Sequence, residues 1–538
     1  MATNAASTTS TASSPAAPPQ ATTNPYLGIL GVFLGAGIAT LNARLVSVGL
    51  ADLRGAAGFG FDEASWLPTA LNMATMFSGV FVVFVNALLG PRRILLPAAA
   101  IFTVASLLLP FAPGYWGMLA LIVIAGLTSG TFYSLTMTFV LTTLPKRLII
   151  FGIAAYAADI VFISNIASVL QGWYAEHLSW RWIFWNAAIF TPLMMICVYF
   201  GIPSRAVPAE PKPSWRGFTY FSLGLALLYG ALDQGERLDW LNSGVIVAMF
   251  AAGVFLVIAA GVRRLLQSNP ILKLDFLNTR NIIIIGLSIF MFKFAHLSTI
   301  VLIPGFLGNV QQYRALQTGH ALAWVALPMF VVVWLVAALI VHTDSRLILA
   351  VGLAAASAGC WICSHLDSSW AGTSFQTVEL LLAAGFACTY VGLVSSIVLE
   401  ALEAGALKSM ANAATLSGFM HFIRIFGGQI GVAVMTRFIT VREQFHSNLL
   451  GLHVQSGSWL TDERLRMLTG GLFPGSTGLD ESQARAVALL SRQVRAQAYT
   501  MASSDGFVLI GWTAVAYLLL MLFLRPGKIT YKDLRKMQ

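Results

Sequence analysis

Leu232-Asp233-Gln234-Gly235-Glu236-Arg237-Leu238-Asp239-Trp240 sets four ionisable side chains within nine residues, between two long apolar runs. A helix needs about 20 apolar residues to cross a bilayer. Six runs of that kind and one partner segment precede the stretch; a second partner and six more runs follow it. The stretch therefore reads as the turn between two inserted helices, and the chain as six plus two plus six membrane spans.

Composition agrees with this reading. Of 538 residues, 57% are hydrophobic and 10% charged, whereas a soluble domain carries about 25% charged residues. Such a chain cannot cover itself with polar surface, so lipid is its solvent. The alternating pattern of a membrane barrel is absent, which leaves an all-α integral membrane protein. The formal charge of +10 is spread over short connections, and no basic face for nucleic acid forms. Cys197, Cys360, Cys363 and Cys388 lie in apolar runs; Cys360-Trp-Ile-Cys363 lacks a second pair and reads as packing, not metal or redox chemistry. GxxxxGK[ST], GxSxG and HExxH do not occur, so the sequence offers no catalytic constellation. The expected organisation is that of a transporter and not of an enzyme, with no cofactor and no metal.

The spans are expected at Pro25–Leu50, Ser65–Leu89, Ile94–Phe111, Tyr115–Leu141, Leu148–Tyr174, Trp182–Ile202, Gly217–Ala231, Ser243–Val262, Asn281–Leu307, His320–Val341, Leu347–His365, Phe375–Leu399, Asn412–Phe438 and Phe507–Leu524. They group into a disordered tail (1–24), a six-helix bundle (25–202), a linker with two helices (203–268), a second six-helix bundle (269–526) and a short tail (527–538). Residues 439–506 form a polar segment between the last two spans, in which Asp480-Glu-Ser-Gln483 reads as a capping box opening a helix through about Tyr499. Arginine and lysine crowd one set of connections, Arg92, Arg93, Lys146, Arg147, Arg263, Arg264 and Arg346 among them, while the opposite short connections hold Arg54, Arg181, Arg237 and Arg314. The positive-inside rule places both termini in the cytoplasm.

An ionised group within the bilayer is expensive and is by default functional or paired. Asp159, Lys293 and Arg424 fall near the middle of their spans, and Arg44 lies in the first. Asp159 is the expected proton carrier, with Arg44 or Lys293 as its counter-charge. His296 and His421 lie one turn from Lys293 and Arg424 and are possible relays. Phe132, Tyr133, Met137, Phe290, Met291 and Phe294 are candidates for a cargo cavity between the bundles.

Ser179-Trp-Arg-Trp-Ile-Phe-Trp-Asn186, Leu232 to Trp240, Asn269-Pro-Ile-Leu-Lys-Leu274 and Gly427-Gly-Gln-Ile-Gly-Val-Ala433 together resemble stretches of the 14-helix drug:proton antiporter-2 branch of the major facilitator superfamily, the EmrB/QacA-like exporters. The resemblance covers about Gly28 to Leu524. It implies proton-driven export of amphipathic drugs or other organic compounds across a bacterial inner membrane by alternating access. It also implies a periplasmic adaptor and an outer-membrane channel as partners. Gly90, Arg92 and Arg93 match the family's gating turn, whose acidic residue is replaced at about Asn86. Asn42 stands where the family's first helix has an aspartate, and Ile122 where its fourth has an arginine. These departures favour the alternative of a dedicated exporter of one metabolite, such as a siderophore or organic acid, with non-standard coupling.

Overall fold

The computed structural model describes residues 24–142, 144–145, 148–202, 215–266, 280–403, 410–472, 474 and 478–523. The expectations for the terminal tails, for 203–214 and for Asn269–Leu274 fall outside the described residues. Among the described residues the chain is helical without strands. The helices are α1 (Pro25–Val48), α2 (Leu50–Ala57), α3 (Phe61–Leu89), α4 (Pro91–Leu108), α5 (Gly114–Thr142), α6 (Ile149–Ala158), α7 (Ser164–His177), α8 (Trp182–Gly201), α9 (Trp215–Gln234) and α10 (Gly244–Leu265). There follow α11 (Arg280–Ala295), α12 (Ile303–Asn309), α13 (Ala315–Ile340), α14 (Ser345–Cys363), α15 (Gln376–Glu403), α16 (Met410–Phe422), α17 (Gly428–Gly451), α18 (Trp459–Leu472) and α19 (Leu479–Met521).

Thirteen of the described helical stretches are long and apolar enough to cross a membrane. The helix α9 is not one of them. It packs along α10 and α3, and supplies the fourteenth span of the sequence reading. One bundle joins α1, α3, α4, α5, α6–α7 and α8; the other joins α11–α12, α13, α14, α15, α16–α17 and α19. Many aliphatic and aromatic side chains are exposed on the outer flanks of these helices, Phe255, Leu335 and Leu347 among them, as lipid as solvent demands.

Small residues let the helices approach. A Cβ on Gly130 of α5 would stand 2.5 Å from the Thr75 carbonyl oxygen of α3, so only glycine permits that crossing. Gly90 adopts φ 78°, which glycine supplies without strain, and Pro91 opens α4 behind it.

Two features differ from expectation. The fifth, ninth and thirteenth spans are each interrupted by a π-turn, at Asp159–Ile163, Ser298–Leu302 and Ile423–Gly427. The polar segment after the thirteenth span is largely helical. The helix α17 runs on to Gly451, and α19 is one helix of 43 residues that begins at Leu479 and passes without a break into the last span. The expected start of the fourteenth span at Phe507 is therefore a point within a longer helix. Its N-cap is Gly478 without a side-chain cap, so the expected capping box at Asp480 does not form; Asp480 and Glu481 occupy the first turn instead, where acidic side chains offset the exposed N–H groups.

Below, the face carrying the 232–240 turn is called the turn face, and the face where α1 begins the tail face. On the turn face the bundles close against each other. A Cβ on Gly172 of α7 would stand 2.4 Å from Leu316 Cα of α13, and one on Gly319 would stand 2.7 Å from Val169 Cα. Nearer the tail face, α16 packs on α3 and α5, and α15 packs on α6.

Candidate functional site

The three π-turns mark the site. A π-turn inserts one residue, loosens the backbone ladder and re-aims side chains, and such turns concentrate at functional positions. Asp159 opens the first, Arg424 lies within the third, and Lys293 sits just before the second. Asp159 thus comes from one bundle and both cations from the other.

Asp159 is fully enclosed. Its Oδ2 accepts a hydrogen bond from Thr40 Oγ1 on α1 at 3.0 Å, while its Oδ1 has no partner. Arg424 and Lys293 lie within electrostatic reach of it. Neither forms an ion pair with it: Arg424 Cζ instead sits 3.5 Å from the centroid of the Tyr133 ring, and Lys293 Nζ lies 6.0 Å from that of Tyr390. Stacking a cation on an aromatic face replaces part of its lost hydration. Arg44 acts on Lys293 and on His296, so the counter-charges of Asp159 are Arg424 and Lys293. Asn42 is buried on α1. All three cations keep part of their surface accessible.

Tyrosines link these charges. Tyr133 on α5 lies 4.2 Å, centroid to centroid, from Tyr156 on α6. Its hydroxyl is 3.4 Å from that of Tyr390 on α15, so a hydrogen bond joins the two bundles at the centre. His421 Nε2 donates to the Thr75 carbonyl oxygen at 3.3 Å, again from one bundle to the other. Ser417 Oγ donates to the Ser134 carbonyl, and Ser134 Oγ to that of Gly79 at 2.8 Å.

The remaining candidates separate. Tyr133 belongs to the centre. Phe132 turns the other way, edge-on to Phe102 of α4 at 5.5 Å, and Met137 is fully enclosed in the core. Phe290 and Phe294 pack against Gly427 and Gly431 of the thirteenth span, within one bundle, and Met291 is partly buried against the core. His296 is enclosed between the Phe292 and Phe386 rings, 5.8 and 5.2 Å away. Arg92 Nη1 donates to the Ile202 carbonyl at 3.3 Å and its guanidinium stacks over Tyr199, pinning α4 to the end of α8; Arg93 is exposed. Among the described residues, no group of His, Cys, Asp and Glu is arranged to hold a metal.

Sequence reasoning passed over Thr40, Tyr156, Tyr390 and Glu379. Tyr156 was within reach, three residues before Asp159 on one helix face. Glu379 was equally visible, an acidic residue one turn inside an apolar run. Thr40 and Tyr390 carry no signal of their own, because uncharged polar residues are common in spans.

The inserted helices add a second polar cluster at the turn face. Asp233 accepts from Gln429 Nε2 of α17 at 2.8 Å and from Thr69 Oγ1 of α3 at 2.5 Å. Arg237 pairs with Asp62, and its Nε donates to Gln234 Oε1 at 2.6 Å. Arg437 of α17 pairs with Glu236 at 3.4 Å. The bundles are thereby tied to each other through α9.

Residues 32–432 match the family model of the Major Facilitator Superfamily. The chain is 23% identical over 500 residues to the multidrug export protein EmrB of Haemophilus influenzae, covering 92% of this chain and 95% of that one. It is 25% identical over 508 residues to the colistin resistance protein EmrB of Acinetobacter baumannii, covering 91% and 94%. Among solved structures, the human organic anion transporter MFSD10 superposes with a TM-score of 0.53 at 13% identity, covering 93% of this chain and 100% of that one, a likeness of fold.

Proposed function

Because the chain belongs to the Major Facilitator Superfamily, as an EmrB/QacA-like multi-pass drug-efflux transporter and not an enzyme, we propose that it exports amphipathic organic compounds in exchange for protons, with Asp159 as the carboxylate that takes up and gives back the proton. The observation that carries this reading is the placement of one enclosed carboxylate across the bundle interface from two cations that do not pair with it. Ionised, Asp159 draws the second bundle toward the first through Arg424 and Lys293. Protonated, it releases that attraction. A proton then acts directly on the balance between the two alternating-access states, as coupling requires. The positive-inside bias orients the tail face to the cytoplasm of a bacterial inner membrane.

The test is Asp159→Asn in proteoliposomes under an imposed pH gradient. Export should lose its pH dependence and fall to the level of a passive leak. Export that persists with unchanged pH dependence removes Asp159 from the proton role.

The segment formed by α17 beyond the thirteenth span, by α18 and by the first part of α19 is the expected seat of a periplasmic adaptor and, through it, of an outer-membrane channel. A groove of about 590 Å³ between α18 and α19, lined by Leu465, Thr469, Leu479 and Val487 among others, supports this placement. Cysteine crosslinking from Thr469 to a co-expressed adaptor is the check.

A second reading, a dedicated exporter of one organic acid, is favoured by the charge at the centre. Lys293 and Arg424 lie within reach of a single carboxylate, Asp159, and Arg44 lies within reach of Lys293; a centre with that excess of positive charge attracts anions. Counterflow with a lipophilic cation against a fatty carboxylate separates the two readings.

A further inference from the structure

Glu379 is buried in α15 with 0% exposure. Neither of its carboxyl oxygens has a hydrogen-bond partner. Only its place in the first turn of α15 favours the ionised form; no side chain does. A buried acid among apolar side chains without a hydrogen-bond partner is rare and needs an explanation.

Its surroundings supply one. Phe375, Glu379, Phe386 and Tyr390 follow one flank of α15, at offsets of four, seven and four residues. Phe375 meets Phe306 of the ninth span at 5.8 Å, and Phe386 meets His296 of the same span at 5.2 Å. Glu379 therefore lies on the flank of α15 that runs beside the ninth span, between those two contacts. The facing part of that span is the π-turn Ser298–Leu302. Ser298 Oγ and both ring nitrogens of His296 are enclosed without a partner as well. Three unpartnered polar atoms on the ninth span and two on α15, at a backbone break, make a polar seam inside an apolar bundle. At its inner end His296 is within reach of Lys293, and Lys293 is within reach of Asp159.

We propose that Glu379, with His296 as its relay, is a second protonation site, which passes protons between the turn face and the Lys293–Asp159 centre. The proposal rests on the proton-coupled reading above. The proton enters on a carboxyl oxygen of Glu379, passes along the π-turn by way of the Ser298 hydroxyl to one imidazole nitrogen of His296 as the other gives up its proton, and is taken by Lys293 as Lys293 passes its own proton to Asp159. Other titratable or charged groups on the packed elements include Cys360, Cys363 and Arg346 of α14, Tyr156 of α6, exposed His320 of α13, Arg442 and His446 of α17, and Tyr499, Asp505 and Tyr517 of α19; Arg346 is paired with Glu400, and Arg442 and His446 with Asp505. Of these only Cys363 is within reach of Glu379, and it carries no charge to hold the carboxylate.

The test uses the full chain in proteoliposomes on a solid-supported membrane, with a pH jump and no cargo. The probe is the proton itself, and the readout is transient charge displacement. The wild type should show two components. Glu379→Gln should lose one and Asp159→Asn the other, while His296→Gln should slow the Glu379 component without shrinking it. Unchanged displacement in Glu379→Gln overturns the proposal, whatever Asp159→Asn does. Loss of a component in Glu379→Gln with none in Asp159→Asn keeps this site and refutes the role given to Asp159. Should Glu379→Gln fail to fold, Glu379→Asp keeps a carboxyl on a shorter arm; the pH midpoint of one component should move, and an unmoved midpoint is equally fatal.

Discussion

Replacing Gln429 by leucine should open the turn face. The amide of Gln429 is the most direct polar contact between the second bundle and α9, donating to Asp233 at 2.8 Å, and α9 is held to the first bundle through Thr69 and Asp62. Leucine keeps the volume and removes one hydrogen bond to a charged acceptor, worth about 1.5–3 kcal/mol. Asp233 keeps its bond to Thr69, so no unpaired charge is created. The bond exists only while the bundles are closed on that side, so its loss lands on the conformational equilibrium. At about 1.4 kcal/mol per factor of ten, the open population should rise by one to two orders of magnitude. The remaining tie, Arg437 to Glu236, is half-exposed on the arginine side and contributes about 0–1 kcal/mol. The assay is the labelling rate of a cysteine at Leu316, which is partly buried with its backbone against Gly172 in the closed state, on a background with the four free cysteines removed. Adding Asp233→Asn to the leucine variant should change little further, because the pair acts as a unit. An unchanged labelling rate in a folded Gln429→Leu protein would refute the clasp.

Gly172→Ala should act in the same direction by a different route: its Cβ would stand 2.4 Å from Leu316 Cα, and overpacking of that kind costs about 1–3 kcal/mol, which separation of the two spans relieves; labelling on the turn face should rise with little change in melting temperature. Arg424→Lys keeps the charge but loses the planar stack on Tyr133, and lysine does not replace arginine at stacked sites; transport should drop at least severalfold at equal expression, and wild-type rates would reduce Arg424 to a point charge. In the loop after α14, the Asp367 carboxylate accepts from Ser369 Oγ at 2.7 Å and from the Ser368 N–H at 2.7 Å, and these bonds hold its pKa below the ordinary carboxylate range. A depressed folded pKa gives stability that is complete above the unfolded value and is lost as pH falls through the folded one. The protection of the Ser368–Trp370 amides, taken relative to their intrinsic exchange rate at each pH, should therefore fall only in acid, and Asp367→Asn should flatten that dependence.

Much of this architecture is legible in the residues because lipid imposes a simple rule: a span must be apolar for about 20 residues. The rule finds thirteen spans directly. It serves α9 poorly, since Arg216, Asp233 and Gln234 dilute that helix, and only the packing along α10 and α3 establishes its place. Asp159, Lys293 and Arg424 stand out for the same reason, as charges where charge is costly. Their geometry is another matter. A π-turn has no residue signature of its own and follows from how three spans meet, so the aim of Asp159 and Arg424 could not be read beforehand. The long polar segment after the thirteenth span was legible as helix-forming at Asp480 but not as a continuation of the last span, because hydropathy falls where the helix leaves the lipid while its hydrogen bonding continues.

The inserted pair of helices does more than lengthen the chain. Met76 and Val80 of α3 and Leu225 of α9 share a small core with Phe422, Ile425 and Phe426 of the thirteenth span, so α9 lies along the groove between the second and thirteenth spans. Tyr229 of α9 is buried there, within reach of Arg44 on α1. In that groove α9 contacts both bundles with apolar side chains at mid-depth and with charged ones at the turn face. A helix so placed must slide or tilt whenever the bundles rock, and its polar end must exchange partners. The free energy of the Asp233–Gln429 and Glu236–Arg437 contacts therefore enters the conformational equilibrium directly, alongside the charge state of Asp159 in the coupling proposed above. Two independent levers on one equilibrium add in free energy. A weakened clasp should thus shift the pH at which the transporter reorients, and restoring that pH by a second change near Asp159 would show that the hairpin and the central carboxylate bias the same motion.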